Sequence, residues 1–342
     1  MSLTAGTPLL SPEEIAVRAG EQLSFLRLPE PGVFAERALR LRQLAAGHAM
    51  RDYLLFLAEL AEVQHALLKH AVALELPTAE QIEAAANAGL PLLTPALGLQ
   101  DGRWREGLRS LMELLAARLA VGPARDTAHQ LVQASDEHLN RQAERLLEGL
   151  MLGLDLGAAP LVAAALQVHW VRLAQQLQAR HEREARPGAL APFGRTDDPT
   201  TCPCCGSRPS ASISRIGAEG SGIRYLACSL CASQWHYVRI KCSHCQGTKG
   251  ISYQSLAALS GESAGEQAVV QAECCDSCGH YLKIVHMERD QNVEPQADDL
   301  ASLTLDLLLA ESGLQRHGHN LMLLFGDPET EAGPPDPSPG SP

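Results

Sequence analysis

The chain has 342 residues, 45% of them hydrophobic and 20% charged, which is an ordinary composition for a folded protein of two or three domains. Its net charge of −12, from 28 basic and 40 acidic residues, argues against nonspecific nucleic-acid binding through phosphate neutralisation. The first residues lack the basic region and apolar core of a secretory signal, and the most apolar stretch is interrupted by Asp155 and Pro160. We therefore expect a cytoplasmic protein with no stable membrane insertion.

Residues 1–185 are predicted to form an all-helical domain. Two capping boxes, Ser11–Glu14 and Thr78–Gln81, mark helix starts. Further helical periodicity covers residues 33–47, 104–120, 125–151 and 160–184. Between the two boxes, apolar side chains at three- and four-residue spacing predict one buried helix face, made of Tyr53, Phe56, Leu57, Leu60, Val63, Leu67 and Leu68. Six or seven helices with short connections imply a bundle.

The helical periodicity ends at residues 186–201, a stretch rich in Pro, Gly and polar residues that we interpret as a linker. Two small β modules are predicted to follow, at residues 202–240 and 241–290. Alternating patterns predict short strands at Ile213–Ile216, Tyr225–Ala227, Trp235–Ile240 and Tyr281–His286.

The C-terminal region, residues 291–326, is predicted to contain one last helix over Ala297–Glu311. Asp298 and Asp299 favour its N-terminus, and Gly313 suits the position after its end. The tail at residues 327–342 has a composition that cannot form a core, and we expect it to be disordered.

The most informative feature is the cysteine pattern between Cys202 and Cys278, which contains all ten cysteines of the chain. Eight of them form four C-x-x-C pairs: Cys202/Cys205, Cys228/Cys231, Cys242/Cys245 and Cys275/Cys278. Two thiolates at this spacing grip one side of a tetrahedral metal ion, so four pairs predict two four-cysteine sites. Sequential pairing would give two tandem rubredoxin-like or zinc-ribbon modules. An interleaved cross-brace, in which the first and third pairs share an ion, stays open.

Other residues lie beside the predicted ligands in sequence. Cys204 and Cys274 either substitute for a neighbouring ligand or are ordinary small residues, and we favour the second interpretation. His236, His244 and His280 are also close, but with eight cysteines available we do not expect them to be ligands.

Glycine follows the second cysteine of two pairs, at Gly206 and Gly279, where a left-handed backbone would aim N–H groups at sulfur. Four thiolates accept zinc, which would make the sites structural, or iron, which would allow one-electron chemistry. No constellation in the sequence predicts a catalytic centre, so we do not expect an enzyme.

The motifs around these cysteines resemble the formate dehydrogenase accessory protein FdhE family, over residues 24 to 325. The resemblance rests on Arg224–Cys231, Trp235–His236, Arg239, Cys242–Cys245, Cys275–Cys278, Tyr281–Lys283 and Asp298–Leu303, and on Phe34–Ala38, Arg40–Leu41 and Tyr53–Leu54. The first pair departs from the family pattern at Cys204, where a small apolar residue is expected.

The resemblance implies an assembly factor for respiratory formate dehydrogenase that contacts its catalytic subunit in the cytoplasm before export. It also favours iron in rubredoxin-like sites, with zinc as the alternative, and leaves homodimerisation open.

Two other functions remain open from the residues alone. A zinc-ribbon nucleic-acid-binding protein would need basic residues around the cysteines, but residues 201–290 hold eight basic and seven acidic residues. A rubredoxin-like electron carrier would bind iron but would leave the large helical domain without a role.

Overall fold

The helical part of the protein is arranged around one long helix in a computed structural model that describes residues 24–184, 190–217, 220–256 and 268–323. The Ser11–Glu14 capping box and the predicted disordered tail lie outside the described residues. Within residues 24–184 the chain forms eight helices: α1 (Val33–Ala45), α2 (Arg51–Lys69), α3 (Ala79–Asn87), α4 (Pro95–Gly98), α5 (Arg103–Ala116), α6 (Pro123–Gln133), α7 (Asp136–Glu148) and α8 (Ala159–Glu184).

Helix α8 is the central element because it is buried on nearly all sides, as expected for the core helix of a bundle. Its Trp170 is fully buried and donates a hydrogen bond from Nε1 to the Leu93 carbonyl at 2.9 Å. The predicted apolar face of α2 is confirmed, with Leu57, Leu60 and Val63 in the core.

Helix boundaries follow local capping. The Thr78–Gln81 capping box is confirmed at the start of α3, where both reciprocal hydrogen bonds form. The run at residues 125–151, predicted as continuously periodic, divides into α6 and α7. The division occurs because the Ser135 hydroxyl accepts from the His138 amide at 3.2 Å and starts a new helix. Among the described residues, none of the helices combines the length and the apolarity that crossing a bilayer requires.

The cysteine region forms one mixed sheet. Its strands are β1 (Leu26–Arg27), β2 (Ala211–Gly217), β3 (Gly220–Ala227), β4 (Gln234–His236), β5 (Ile251–Gln254), β6 (Val270–Cys275), β7 (His280–His286) and β8 (Gln315–Arg316). The order across the sheet is β1-β4-β3-β2-β7-β6-β5, and β8 pairs with the start of β7. The two predicted modules are therefore not separate sheets, since the parallel pairing of β2 with β7 joins them.

The predicted strands in β2, β3 and β7 are confirmed. The fourth, Trp235–Ile240, is a strand only as far as His236. Within the described part of residues 186–201, residues 190–201 form no helix or strand. They contact the sheet through a hydrogen bond that Trp235 Nε1 donates to the Pro199 carbonyl at 3.0 Å. Trp235 is fully buried.

The predicted C-terminal helix is two helices, α9 (Pro295–Ala301) and α10 (Leu303–Glu311). The break falls at Ser302, whose hydroxyl donates to the Asp298 carbonyl at 2.8 Å. Lys283 Nζ donates to the Asp299 carbonyl at 2.6 Å. The carbonyl groups of Asp298 and Asp299 therefore both have partners other than the amides that follow them in a continuous helix.

Buried ion pairs join the helical part to this C-terminal region. Arg40 of α1 contacts Asp298 of α9 at 2.6 Å, and Arg37 contacts Glu294 at 3.1 Å. Glu294 also caps α9 by accepting from the Ala297 amide at 2.7 Å. Buried ion pairs thus join segments that are more than 250 residues apart in the chain.

The predicted fold class is confirmed: an N-terminal helical bundle, two cysteine-containing β modules and C-terminal helices.

Candidate metal centres

The eight predicted ligands assemble into two tetrads, and the pairing is sequential. The first tetrad is Cys202, Cys205, Cys228 and Cys231, and the second is Cys242, Cys245, Cys275 and Cys278. Within each tetrad the four sulfur atoms lie within 4.8 Å of one another. The cross-braced alternative is excluded by this arrangement.

The distances between sulfur atoms fit metal ligation better than disulfide bonding. In the first tetrad Cys202 Sγ lies 3.5 Å from Cys231 Sγ, and Cys205 Sγ lies 3.4 Å from Cys228 Sγ. The matching distances in the second tetrad are 3.7 Å and 3.8 Å. A tetrahedral ion with bonds of about 2.3 Å to sulfur places its ligands about 3.8 Å apart, whereas a disulfide brings them to about 2.05 Å. All ten cysteines lie in the described residues, and none forms a disulfide.

Each C-x-x-C pair folds as the same tight turn. The residue after the second cysteine is left-handed in all four pairs, at Gly206 (φ +80°), Ala232 (φ +56°), Gln246 (φ +60°) and Gly279 (φ +70°). The sequence predicted this conformation only at the two glycines. Alanine and glutamine adopt it here at an energetic cost, which indicates that the surrounding turn imposes the geometry.

Hydrogen bonds of these turns direct donors toward sulfur. The Cys231 amide donates to Cys228 Sγ at 3.5 Å, and the His244 amide donates to Cys242 Sγ at 3.4 Å. Such contacts stabilise the thiolate form, which is the form that binds metal.

The first tetrad is buried against the helical bundle. All four of its cysteines are buried and belong to the same apolar core as α8. Gln167 of α8 donates from Nε2 to the carbonyl of Ser229, inside the second C-x-x-C pair, at 2.6 Å. The Leu93 amide donates to the Cys204 carbonyl at 2.8 Å. The helical part therefore holds the backbone of this tetrad directly.

The second tetrad is nearer to solvent. Cys242 and Cys275 are buried, Cys278 is partly buried and Cys245 is exposed. The Tyr237 hydroxyl supports this tetrad by donating a hydrogen bond to the Cys242 carbonyl at 2.9 Å.

The electrostatics of the first tetrad require a cation if all four sulfurs are to be charged. Burial raises the pKa of Cys202, Cys205 and Cys231 well above its ordinary value. Burial also opposes ionisation of Cys228, but hydrogen bonds from the neighbouring thiols lower its pKa well below the ordinary value. Burial therefore opposes ionisation of all four thiols together, and a divalent ion would allow them to bind as thiolates.

The two remaining cysteines lie outside the tetrads. Cys274 points into a small apolar cluster with Tyr281 and Leu305, and burial raises its pKa to about 11. Cys204 is fully buried beside the first tetrad but is not one of its four grouped ligands.

A group of histidines lies beside the second tetrad. The rings of His244 and His280 stack with centroids 3.7 Å apart, and the His317 ring meets His244 edge-on at 5.0 Å. Sequence position alone identifies His244 and His280, but not His317, which is 37 residues beyond His280 and reaches the site through the pairing of β8 with β7. Among the described residues, Cys278 joins His244 and His280 as a third group able to hold an ion.

Comparison with known proteins agrees with the resemblance noted from the motifs. The sequence matches three family descriptions in succession: "FdhE, N-terminal" at residues 23–187, "FdhE, central domain" at residues 201–239 and "FdhE, C-terminal domain" at residues 240–323. Each tetrad falls within one of the latter two matched ranges.

Individual relatives cover nearly the whole chain. An FdhE homologue from Pseudomonas aeruginosa is 41% identical over 303 residues, covering 88% of this chain and 93% of the relative. Another from Cronobacter sakazakii is 37% identical, covering 91% and 95%. The crystal structure of the FdhE protein from Pseudomonas aeruginosa superposes with a TM-score of 0.75 at 38% identity, covering 89% of this chain and all of that one. This chain therefore belongs to the FdhE family.

Proposed function

We propose that this protein is an accessory protein for the maturation of respiratory formate dehydrogenase and that it binds the immature catalytic subunit in the cytoplasm. It acts by binding that subunit and catalyses no reaction of its own. The observation that carries this proposal is membership of the FdhE family along all three matched regions, with both cysteine tetrads intact.

The tetrads supply the metal chemistry of the proposal. Each holds one ion through four thiolates, either iron or zinc, and iron is favoured by the family resemblance. Four protein ligands leave no open coordination position, so the ions do not act as hydrolytic centres. In this proposal the ions hold the four C-x-x-C turns in place, and these turns position the sheet on the helical bundle.

The joined architecture supports a binding role that needs both halves. Gln167 connects the core helix α8 to the first tetrad, and Arg37 and Arg40 connect α1 to the C-terminal helices. A partner that contacts the helical surface and the metal modules together would meet one continuous body. Loss of either ion would then weaken binding by distorting the surface that the partner recognises.

Gene deletion and complementation test the proposal. In the natural host, deletion should abolish respiratory formate oxidation while the transcript of the catalytic subunit is unchanged. Cys275→Ala should fail to restore activity because it removes a tetrad ligand. Cys274→Ala is the matched control, because the thiol that it removes lies in an apolar cluster outside the tetrad, and it should restore activity. Normal formate oxidation in the deletion strain would refute the proposal.

A further inference from the structure

The three-histidine cluster formed by His244, His280 and His317 has no role in completing the second tetrad, which already has four cysteine ligands. It lies on the side of the tetrad where burial is incomplete, since Cys278 is only partly buried. Imidazole rings concentrated at the more exposed rim of a thiolate site offer a second set of groups that are able to bind a metal ion.

The nitrogen atoms of the cluster are available for a ligand. His280 donates from Nδ1 to the Cys278 carbonyl at 2.8 Å, and this hydrogen bond leaves the lone pair of the neutral ring on Nε2. His244 Nδ1 and both ring nitrogens of His317 are buried without a hydrogen-bond partner. Buried polar atoms are normally satisfied, so three such nitrogens in one cluster indicate a missing partner.

A small cavity lies among these rings. It has a volume of about 10 Å³, and its lining includes the three histidines, Cys242 and Cys275, as well as the charged residues Arg224, Lys241 and Glu273, but not Cys278. A space of this size holds about one water molecule or one ion.

One cysteine belongs to both ligand sets. Donor atoms of His244, Cys278 and His280 lie within 4.8 Å of one another. Tetrahedral coordination by nitrogen and sulfur needs donors about 3.3 to 3.8 Å apart. Because the two rings stack at an angle of 9° to each other, at least one imidazole must turn out of the stack to direct its lone pair at an ion shared with Cys278. Within the part of the chain that the structure describes, no comparable histidine group adjoins the first tetrad.

We propose that His244, His280 and Cys278 form a third, transient metal-binding position, through which a divalent ion such as Zn²⁺ or Fe²⁺ enters and leaves the second tetrad. The inference rests on the proposed occupation of the tetrads by metal. His317, packed edge-on against His244, acts as a positioning residue for this rim.

The transfer is a ligand exchange without change of oxidation state. Cys278 Sγ would hold the ion in both positions, because it belongs to both ligand sets. His244 and His280 would release the ion as Cys242, Cys245 and Cys275 bind it, and the protons of those three thiols would pass to solvent. The shared sulfur means that the ion is never without a protein ligand. The first tetrad, buried and without such a rim, should exchange its ion more slowly.

Metal-exchange kinetics test this inference in the full chain. The protein is purified anaerobically and loaded with Zn²⁺, and the release of the ion to an excess of a chromophoric chelator is followed with time. We expect two phases of one ion each, the faster from the second tetrad. The double variant His244→Phe/His280→Phe keeps two stacked aromatic rings but removes both donors, and it should slow the fast phase about tenfold or more.

Two controls make the result specific. His236→Phe changes a histidine of β4 that belongs to neither ligand set and should leave both phases unchanged. His280→Gln gives a milder change at the same position and should also slow the fast phase, in case the double variant binds fewer than two ions. Two bound ions with an unchanged fast phase in the histidine variants would overturn this inference alone. Absence of bound metal in the unaltered chain would overturn the proposed tetrad occupation as well.

Discussion

The buried charge network around Lys283 provides a strong test of how the metal modules are attached to the C-terminal helices. The Lys283 side chain is fully buried, and its Nζ contacts Asp299 at 2.9 Å and Asp306 at 2.5 Å. Arg316 contacts the same two carboxylates, at 2.6 Å and 3.0 Å. Two cations and two anions therefore balance in a space that water barely reaches.

Replacing Lys283 with methionine removes one cation and leaves a net negative charge buried. Removal of one partner from a buried ion pair costs about 3–5 kcal/mol of unfolding free energy. In Lys283→Met/Asp306→Asn the remaining pair of Arg316 and Asp299 is neutral again. The double variant should therefore be less destabilised than the sum of the single variants, by about 1–3 kcal/mol.

The network also has a predictable pH dependence. Burial opposes ionisation of Asp299, but the adjacent Arg316 and Lys283 lower its pKa below the ordinary value of 3.8. A lowered folded-state pKa contributes stability that is fully present at neutral pH and is lost as the pH falls through the folded-state value, below 3.8.

Urea unfolding of the metal-loaded chain, followed by far-ultraviolet circular dichroism, measures these effects through the transition midpoint and slope. Glu137→Gln is the control, because its ion pair with Arg141 is exposed and should contribute at most about 0.5 kcal/mol. A cost below about 1 kcal/mol for Lys283→Met, or strict additivity in the double variant, would refute the reasoning from a balanced buried network.

Four further changes probe the tetrads and their attachment. Gly279→Ala should destabilise the protein by about 1–2 kcal/mol, because a Cβ there meets no neighbouring atom and the cost comes from the left-handed backbone alone. Gln246→Gly should stabilise the protein by about 1 kcal/mol, because it relieves the same left-handed backbone. Thermal unfolding in which both substitutions change the stability in the same direction would contradict this explanation. Gln167→Leu removes the donor to the Ser229 carbonyl and the acceptor that Gln64 and Arg37 contact, and it should cost about 1–3 kcal/mol in urea unfolding. An unchanged midpoint would show that these contacts are unimportant. Removal of both ions by a chelator should expose residues 201–290 to limited proteolysis while the helical fragment survives, and equal resistance with and without metal would show that the ions do not hold the sheet together.

Most of the first-order architecture could be predicted from the sequence because periodicity and cysteine spacing are local signals. The apolar face of α2 repeats every three to four residues, and the two cysteines of each pair are three positions apart. The tetrad membership followed from the simplest pairing of those signals. Short, low-contrast strands such as β5 and β6 carry no comparable pattern and were not predicted.

Features that depend on distant parts of the chain could not be predicted in the same way. Arg40 and Asp298 each belong to a motif that resembles the FdhE family, but only the fold shows that they contact each other. The sequence predicted Asp299 as a helix N-terminal charge, and the carboxylate is instead held by Lys283 and Arg316. The parallel contact between β2 and β7, which merges the two modules, likewise depends on tertiary structure alone.

The most direct test of the proposed function is to purify the tagged protein from its own host, grown with formate dehydrogenase expressed, and to identify what co-purifies. The account predicts recovery of the formate dehydrogenase catalytic subunit with the unaltered protein and with Cys274→Ala. It predicts loss of that subunit with Cys228→Ser/Cys231→Ser, which breaks the first tetrad. Recovery of nucleic acid or an electron-transfer protein in place of the catalytic subunit would contradict the account.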